Sequence, residues 1–300
     1  MTTKALEVVK SNKVVEASYK LSLYEQRILL ACIAQIHSKE ELLESCRFEI
    51  SVADLADLSN MDKKNNVYTL LAKAADTLLT RQVIINAPDP NTPKTKVRKI
   101  NWVGGVDYQP GEGKVILQFT SNIAPYLSQL SREFTRYKLK YVTKFKSTYS
   151  IRLYELLVQW LSVGKREIEV DWLKKQLQVE TNYPRVGDFK NRVIDVAVNE
   201  INQHSNIWVK YTQRKAGRII THFLFTFGKK ETEHATKSKT NGTKPLIPLF
   251  TGHPEYTVDS EAVLEDHQRL KTKPEPKPKK TLDSDKKSKI TGLKRAVTHG

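Results

Sequence analysis

The sequence predicts an α+β fold: two tandem winged-helix domains, each a helix-turn-helix followed by a β-hairpin, and a flexible basic C-terminal tail. Three observations carry that expectation. One order of helix, strand, short helix, longer helix and hairpin occurs twice before residue 230. The segments read as hairpins alternate apolar and polar residues, as in RIITHFLFTFG at 218–228. Beyond them the chain turns rich in Lys and Pro, as in KTKPEPKPKKTLDSDKKSK. Such a segment buries too little apolar surface to offset its ordering entropy. The expected boundaries are 1–130, 131–229 and 230–300.

In the first unit, SLYEQRILLACIAQIH places Leu23, Ile28, Leu29, Ala31, Cys32 and Ile36 at helical spacing. Ser22, three residues before Glu25, makes a capping-box pair. RFEIS reads as a short strand and VADLADLS as a short helix. NNVYTLLAKAADTLLT reads as a longer helix, with Val67, Leu70, Leu71, Ala74 and Leu78 on one side. RQVIIN, RKINWVGGVDYQ and KVILQFT alternate as strands, the last two joined by a turn at QPGEG.

In the second unit, TRYKLKYVTKFKSTYSIRLYELLVQWLS reads as one long helix or two, REIEV as a strand and DWLKKQLQV as a short helix. VGDFKNRVIDVAVNEINQHS is the longer helix, and IWVKYTQ with RIITHFLFTFG forms the hairpin. The units overlay with Ile50 on Ile168, Val52 on Val170, Leu55 on Leu173, Ala74 on Val196, Ala75 on Ala197 and Val83 on Ile207. This register points to an internal duplication.

The net charge of +17 favours a polyanionic partner. Its distribution is uneven: +2 over residues 1–130, +9 over 131–228 and +6 beyond. The second unit is therefore the expected polyanion-binding surface. The longest apolar run, Ile28 to Ala34, is too short to span a bilayer, so no membrane partner is expected. The two cysteines, Cys32 and Cys46, imply no disulfide framework. A reducing cytoplasmic setting is expected.

A winged helix places the second helix of its pair in the major groove and its hairpin along the backbone. On a helical wheel Phe189, Val193, Val196, Ala197 and Ile201 form the core face, flanked by Ile194 and Val198. Asp188, Asn191, Asp195, Asn199 and Asn202 lie opposite, with Arg192 at their edge. Asn, Arg and Asp match adenine, guanine and the cytosine amino group respectively. Asn191, Arg192 and Asp195 are thus the candidate base readers, with Lys190 in the first turn reaching phosphate. On the hairpin Lys210, Tyr211, Arg214, Lys215 and Arg218 supply the salt-dependent phosphate term. An ordinary solvated face is the plain alternative for the helix taken alone.

Further backbone contacts are expected at the domain junction and the inter-helix spacer. Lys144, Lys146, Ser147 and Tyr149 sit near a helix start, where free N–H groups favour phosphate. Asn182, Tyr183 and Arg185 precede the reading helix. Lys63, Lys64, Lys73, Lys96 and Arg98 are the auxiliary DNA contacts of the first unit. Its low charge and its strand edges, Val83 to Ile85 and Ile100 to Val106, suit pairing with another chain instead. In the tail, PLIPLF at 245–250 resembles the clamp-binding peptide of bacterial replication proteins without its leading Gln. A strap packed on the folded domains is the other reading.

Enzyme readings fail on spacing. GEGKV at 111–115 lacks the full phosphate-loop pattern and lies between strands. The seven histidines contain no pair at metal-ligand spacing, and no Cys-x-x-Cys exists. His222 stands alone in its strand, so Tyr149 and Tyr154 lack the histidine pair of a metal-dependent nickase. No catalytic residue, metal or cofactor is expected.

Several segments in one order resemble the replication initiator (Rep) proteins of iteron-controlled, theta-replicating bacterial plasmids. They are VVKSNKVVEASYKLSLYEQRILLACIAQI, FEISVADLADLS, FTRYKLKYVTKFKSTYSIRLYELL, FKNRVIDVAVNEIN and GRIITHFLFTF, within residues 8–228. The resemblance implies binding of repeated origin sequences (iterons) as a monomer, with the second domain doing most base reading. It also implies a dimer through the first domain that represses the initiator's own promoter. Host initiator, helicase and sliding clamp are the implied protein partners. A duplicated winged-helix transcriptional regulator and a general chromosome-architecture protein are the alternatives.

Overall fold

The computed structural model describes residues 6–43, 45–51, 53, 55–56, 67–88, 95–109 and 113–230. The tail, PLIPLF, Lys63, Lys64 and most of VADLADLS lie outside the described residues.

The N-terminal strand β1 (Glu7–Ser11) pairs antiparallel with β7 (Phe134–Lys138), Val8 opposite Tyr137. Residues 135–138, expected in a helix, thus belong to a strand. Their burial alternates, with Thr135 and Tyr137 inside and Arg136 out, a period of two. A 3₁₀ turn (Leu139–Tyr141) follows, and the helix proper, α4 (Thr148–Val158), begins after Ser147. The pairing of β1 with β7 runs across residue 130.

After the short α1 (Asn12–Val15), Ser22 and Glu25 form the expected capping box at the start of α2 (Leu23–Ile33). Glu25 also accepts from the Thr77 hydroxyl at 2.6 Å and from Arg81 at 2.9 Å. One buried carboxylate therefore caps α2 and ties it to the C-terminal end of α3 (Val67–Leu78). Burial acts to raise its pKa, but Arg81, Thr77 and the Ser22 N–H outweigh it and hold it below the ordinary value.

The sheets repeat. Strands β2 (Phe48–Ser51), β5 (Val103–Gln109) and β6 (Lys114–Phe119) pair in the order β2-β6-β5. Strands β8 (Lys165–Glu169), β9 (Ile207–Ala216) and β10 (Ile219–Lys229) pair as β8-β10-β9, the same arrangement. Between the first unit's helix and its sheet stands a separate hairpin, β3 (Gln82–Pro88) with β4 (Thr95–Asn101). The single strand expected over RKINWVGGVDYQ is broken at Trp102, fully buried with its ring 5.2 Å from Tyr19. The sheet counterpart of β9 is consequently β5, and Val83 belongs to the extra hairpin. Its β3 edge is not free at Ile84, which exchanges backbone hydrogen bonds of 2.9 Å with Ser18.

The first and second units share one apolar cluster, from Val8 to Phe227. Inside it lies a polar knot. Lys10 pairs with Glu155, which also accepts from Tyr137 at 2.5 Å. Arg152 donates to the Tyr19 hydroxyl at 2.5 Å and the Ala17 carbonyl at 2.7 Å. The Ser18 hydroxyl reaches the Lys175 carbonyl at 2.7 Å, at the end of α5 (Val170–Leu177). Segment 17–19 thus touches β3, α4 and α5 together. No helix among the described residues is long and apolar enough to cross a membrane.

Candidate nucleic-acid interface

The helix expected to read DNA is built of three pieces: α6 (Val186–Phe189), a π-helical turn (Lys190–Ile194) and α7 (Asp195–His204). Phe189, Val193, Ala197 and Ile201 are buried as expected, but Ile194 is buried with them and Val196 is 39% exposed. A π turn closes i→i+5 hydrogen bonds and adds about one residue to a turn. Every later side chain is rotated relative to the regular wheel. Val196 therefore leaves the core face, and Asn202 leaves the outward one. The Asn202 amide clasps β9, accepting from the Val209 N–H at 2.7 Å and donating to its carbonyl at 2.9 Å.

Asn191 and Arg192 lie exposed on the π turn. Asp195 is half-exposed, and its carboxylate is engaged within the protein: Lys190 donates to its Oδ2 at 2.7 Å, and the Tyr211 hydroxyl of β9 donates to its Oδ1. Burial acts to raise the Asp195 pKa, yet these two donors hold it below its ordinary value. Lys190 is correspondingly raised, first by that hydrogen bond. Lys190, Asp195 and Tyr211 thus tie the reading helix to the hairpin.

The hairpin turns through Gly217 and Arg218, with Gly217 at φ +61°. A positive φ at the first central residue is what a type II′ hairpin turn requires, and glycine adopts it without strain. Strand alternation splits the basic cluster between two faces. Tyr211 and Lys215 share the face that carries the buried Ile207 and Val209, beside the reading helix. Lys210 and Arg214 lie on the opposite face, where Arg214 pairs with Glu167 of β8 at 2.8 Å. Beside exposed Arg218, Ile219 at the hairpin tip is 66% exposed.

The loop before α4 is clamped from both sides. Arg27 of α2 donates to the Thr143 and Phe145 carbonyls at 3.4 and 3.2 Å. Glu200 of α7 accepts from the backbone N–H groups of Lys146 and Ser147 at 3.1 and 3.2 Å. The anion meeting this helix start is thus the protein's own carboxylate. Ser147 caps α4, its Oγ accepting from the Tyr149 N–H at 3.2 Å. Val142 and Phe145 are buried anchors, which leaves Lys144 and Lys146 projecting into solvent.

Burial first, and then the neighbouring Tyr183, push the Tyr149 pKa up to about 12. The Tyr183 carbonyl accepts from Lys174 at 2.8 Å, while Asn182 and Arg185 are exposed beside it. In the first unit Lys73, Lys96 and Arg98 are exposed, and Arg98 bonds Asn122 at 3.0 Å. Val196 and Glu200 are the residues that sequence reasoning missed. The π turn and the contact between elements that reveal them leave no local signal. Among the described residues no cluster of His, Cys, Asp and Glu is placed to hold a metal ion.

Comparison with known proteins bears on this arrangement. A family model described as "Initiator Replication protein, WH1" matches residues 7–158, and one described as "Initiator Rep protein, WH2" matches 169–227. A replication initiation protein of Escherichia coli is 30% identical over 230 residues, covering 73% of this chain and 69% of that protein. The Escherichia coli PI protein is 29% identical over 253 residues, 75% of this chain and 83% of that one. The crystal structure of Pi initiator protein in complex with iteron DNA aligns at a TM-score of 0.64 and 27% identity. That alignment covers 76% of this chain and 99% of that chain.

Proposed function

The chain belongs to the family of initiator replication proteins with WH1 and WH2 winged-helix domains, and from that premise we propose that it starts plasmid replication by binding iteron DNA at the origin. The observation that carries this reading is the exposed pair Asn191 and Arg192 beside the Lys215-bearing hairpin face, in the segment of the chain with +9 charge. A relative of the same architecture is bound to iteron DNA. Asn191 and Arg192 read base edges, while Lys144, Lys146, Lys215 and Arg218 hold phosphates. Asp195, Lys190 and Tyr211 set the angle between helix and hairpin. The division of labour follows the charge: principal recognition through 131–229, self-association and auxiliary contacts through 1–130. A dimer of the first unit represses the protein's own promoter, and host initiator, helicase and clamp are its protein partners.

The test is whether this coding region with its flanking DNA sustains a plasmid that lacks its own origin. Footprinting on the same DNA separates the readings. Direct repeats at fixed spacing support the initiator. A promoter palindrome alone makes the chain a transcriptional regulator, and absence of any footprint makes it an architectural protein.

A further inference from the structure

Val196 is the large apolar side chain that the reading helix exposes, at 39%. It stands among polar neighbours: Arg192 four residues before it and Asn199 three after are both exposed. Its position is a product of the π turn at Lys190–Ile194, which gives Ile194 the core site and rotates Val196 away from it. In water this arrangement gains nothing. A β-branched residue is a weaker helix former than most, and its two methyl groups lose the burial that a core position supplies.

On a face that meets base edges, each polar side chain has polar partners to choose from. A branched apolar side chain has one kind. In the major groove the apolar group on a base edge is the C5-methyl of thymine. We propose that Val196 is a specificity residue that recognises thymine through this methyl group. The proposal deepens the initiator function and rests on the reading of the α6–α7 run as the groove helix. At about 1.5 Å of rise per residue Val196 lies roughly 6 Å along the axis from Arg192. With about 3.4 Å between base pairs, the thymine stands about two base pairs from the base that Arg192 addresses. The π turn is then a device that brings an apolar probe onto a polar reading face without altering the buried side of the helix.

The probe is the duplex that the full chain protects in the DNA flanking its own coding region. Each thymine in it is replaced in turn by deoxyuridine, which removes the methyl group alone. One position is expected to weaken binding about threefold to tenfold. Val196→Ala is expected to lose a similar factor on the thymine duplex and to make that position indifferent to the replacement. Alanine favours the helix, so the variant folds. If no thymine responds, or Val196→Ala keeps the full response, the proposal is overturned. Arg192→Ala on the same duplexes separates the two levels. Equal weakening of protected and random DNA, or no protected duplex at all, overturns the groove-helix reading and this proposal with it. A specific loss in Arg192→Ala beside an unchanged thymine response in Val196→Ala overturns this proposal alone.

Discussion

Glu155 of α4 and Lys10 of β1 form an ion pair across 145 positions of chain, and neither side chain is more than 2% exposed. Burial acts to raise the Glu155 pKa, but Lys10 and Arg152 outweigh it and hold the carboxyl below its ordinary value. Removing the carboxylate leaves two buried cations without their partner. Glu155→Ala is expected to lower stability by about 3–5 kcal/mol, seen as a fall in Tm by calorimetry. A change under about 1 kcal/mol would show that the knot is solvated.

The same group sets an acid limit. A carboxyl whose folded pKa lies below its unfolded value contributes in full above the unfolded value of about 4.3 and loses that contribution as pH falls through the folded one. Glu155, Glu25 and Asp195 all have lowered pKa values. Stability from these three is expected to be flat near neutrality and to fall below about pH 4. Denaturant midpoints across pH 3–7 measure it; a decline that starts above pH 5 in Glu155→Gln and the parent alike assigns it to other groups.

The reading helix and the hairpin are expected to fail in different ways. Arg192→Ala should lose about 1–3 kcal/mol on the iteron duplex and little on random DNA. Lys215→Ala should weaken both and lower the salt slope by about one unit. Binding of both variants to both duplexes over a salt series decides it, and the opposite pattern makes the hairpin the reader.

Tyr211 donates to Asp195 just past the π turn. Tyr211→Phe keeps the ring and removes the tie between helix and hairpin. The ratio of iteron to random-duplex affinity is expected to drop by about 0.5–1.5 kcal/mol, with random-duplex affinity nearly level. Equal loss on both duplexes would make the hydroxyl a phosphate contact.

Glu200 gives a prediction whose sign is diagnostic. Taking a negative charge from a basic surface strengthens DNA binding if charge alone matters. Glu200 also fixes the N–H groups of Lys146 and Ser147. Glu200→Gln is expected to weaken binding to any duplex by about 1 kcal/mol, because Lys144 and Lys146 lose their fixed position. Tighter binding would show that the loop needs no such support.

The elements with strong local periodicity were legible in the sequence. The α2 capping box at Ser22 and Glu25, the strands β2, β6 and β8 and the β9–β10 hairpin need only local pattern and turn chemistry. What escaped depends on distant partners. Thr135–Lys138 looks helical beside the basic run that follows it until β1 is known to lie against it. The core register of Phe189 and Val193 was readable, yet a hydrophobic pattern does not show where one turn widens, so Val196 and Asn202 were assigned to the wrong sides. Asp195 is an acceptor by residue type, but its engagement by Tyr211 is tertiary information.

The pairing of β1 with β7 also orders events during synthesis. Val8 and Val9 leave the ribosome roughly 130 residues before their partners Tyr137 and Arg136. At about 5–20 residues per second the interval is roughly 6–25 s. Throughout it a short apolar strand waits with an unpaired edge, the state most exposed to a second nascent chain. Completion of the fold around β1 therefore waits for a segment that lies far along the chain, and a ribosome stalled before Phe134 holds a strand with nowhere to dock.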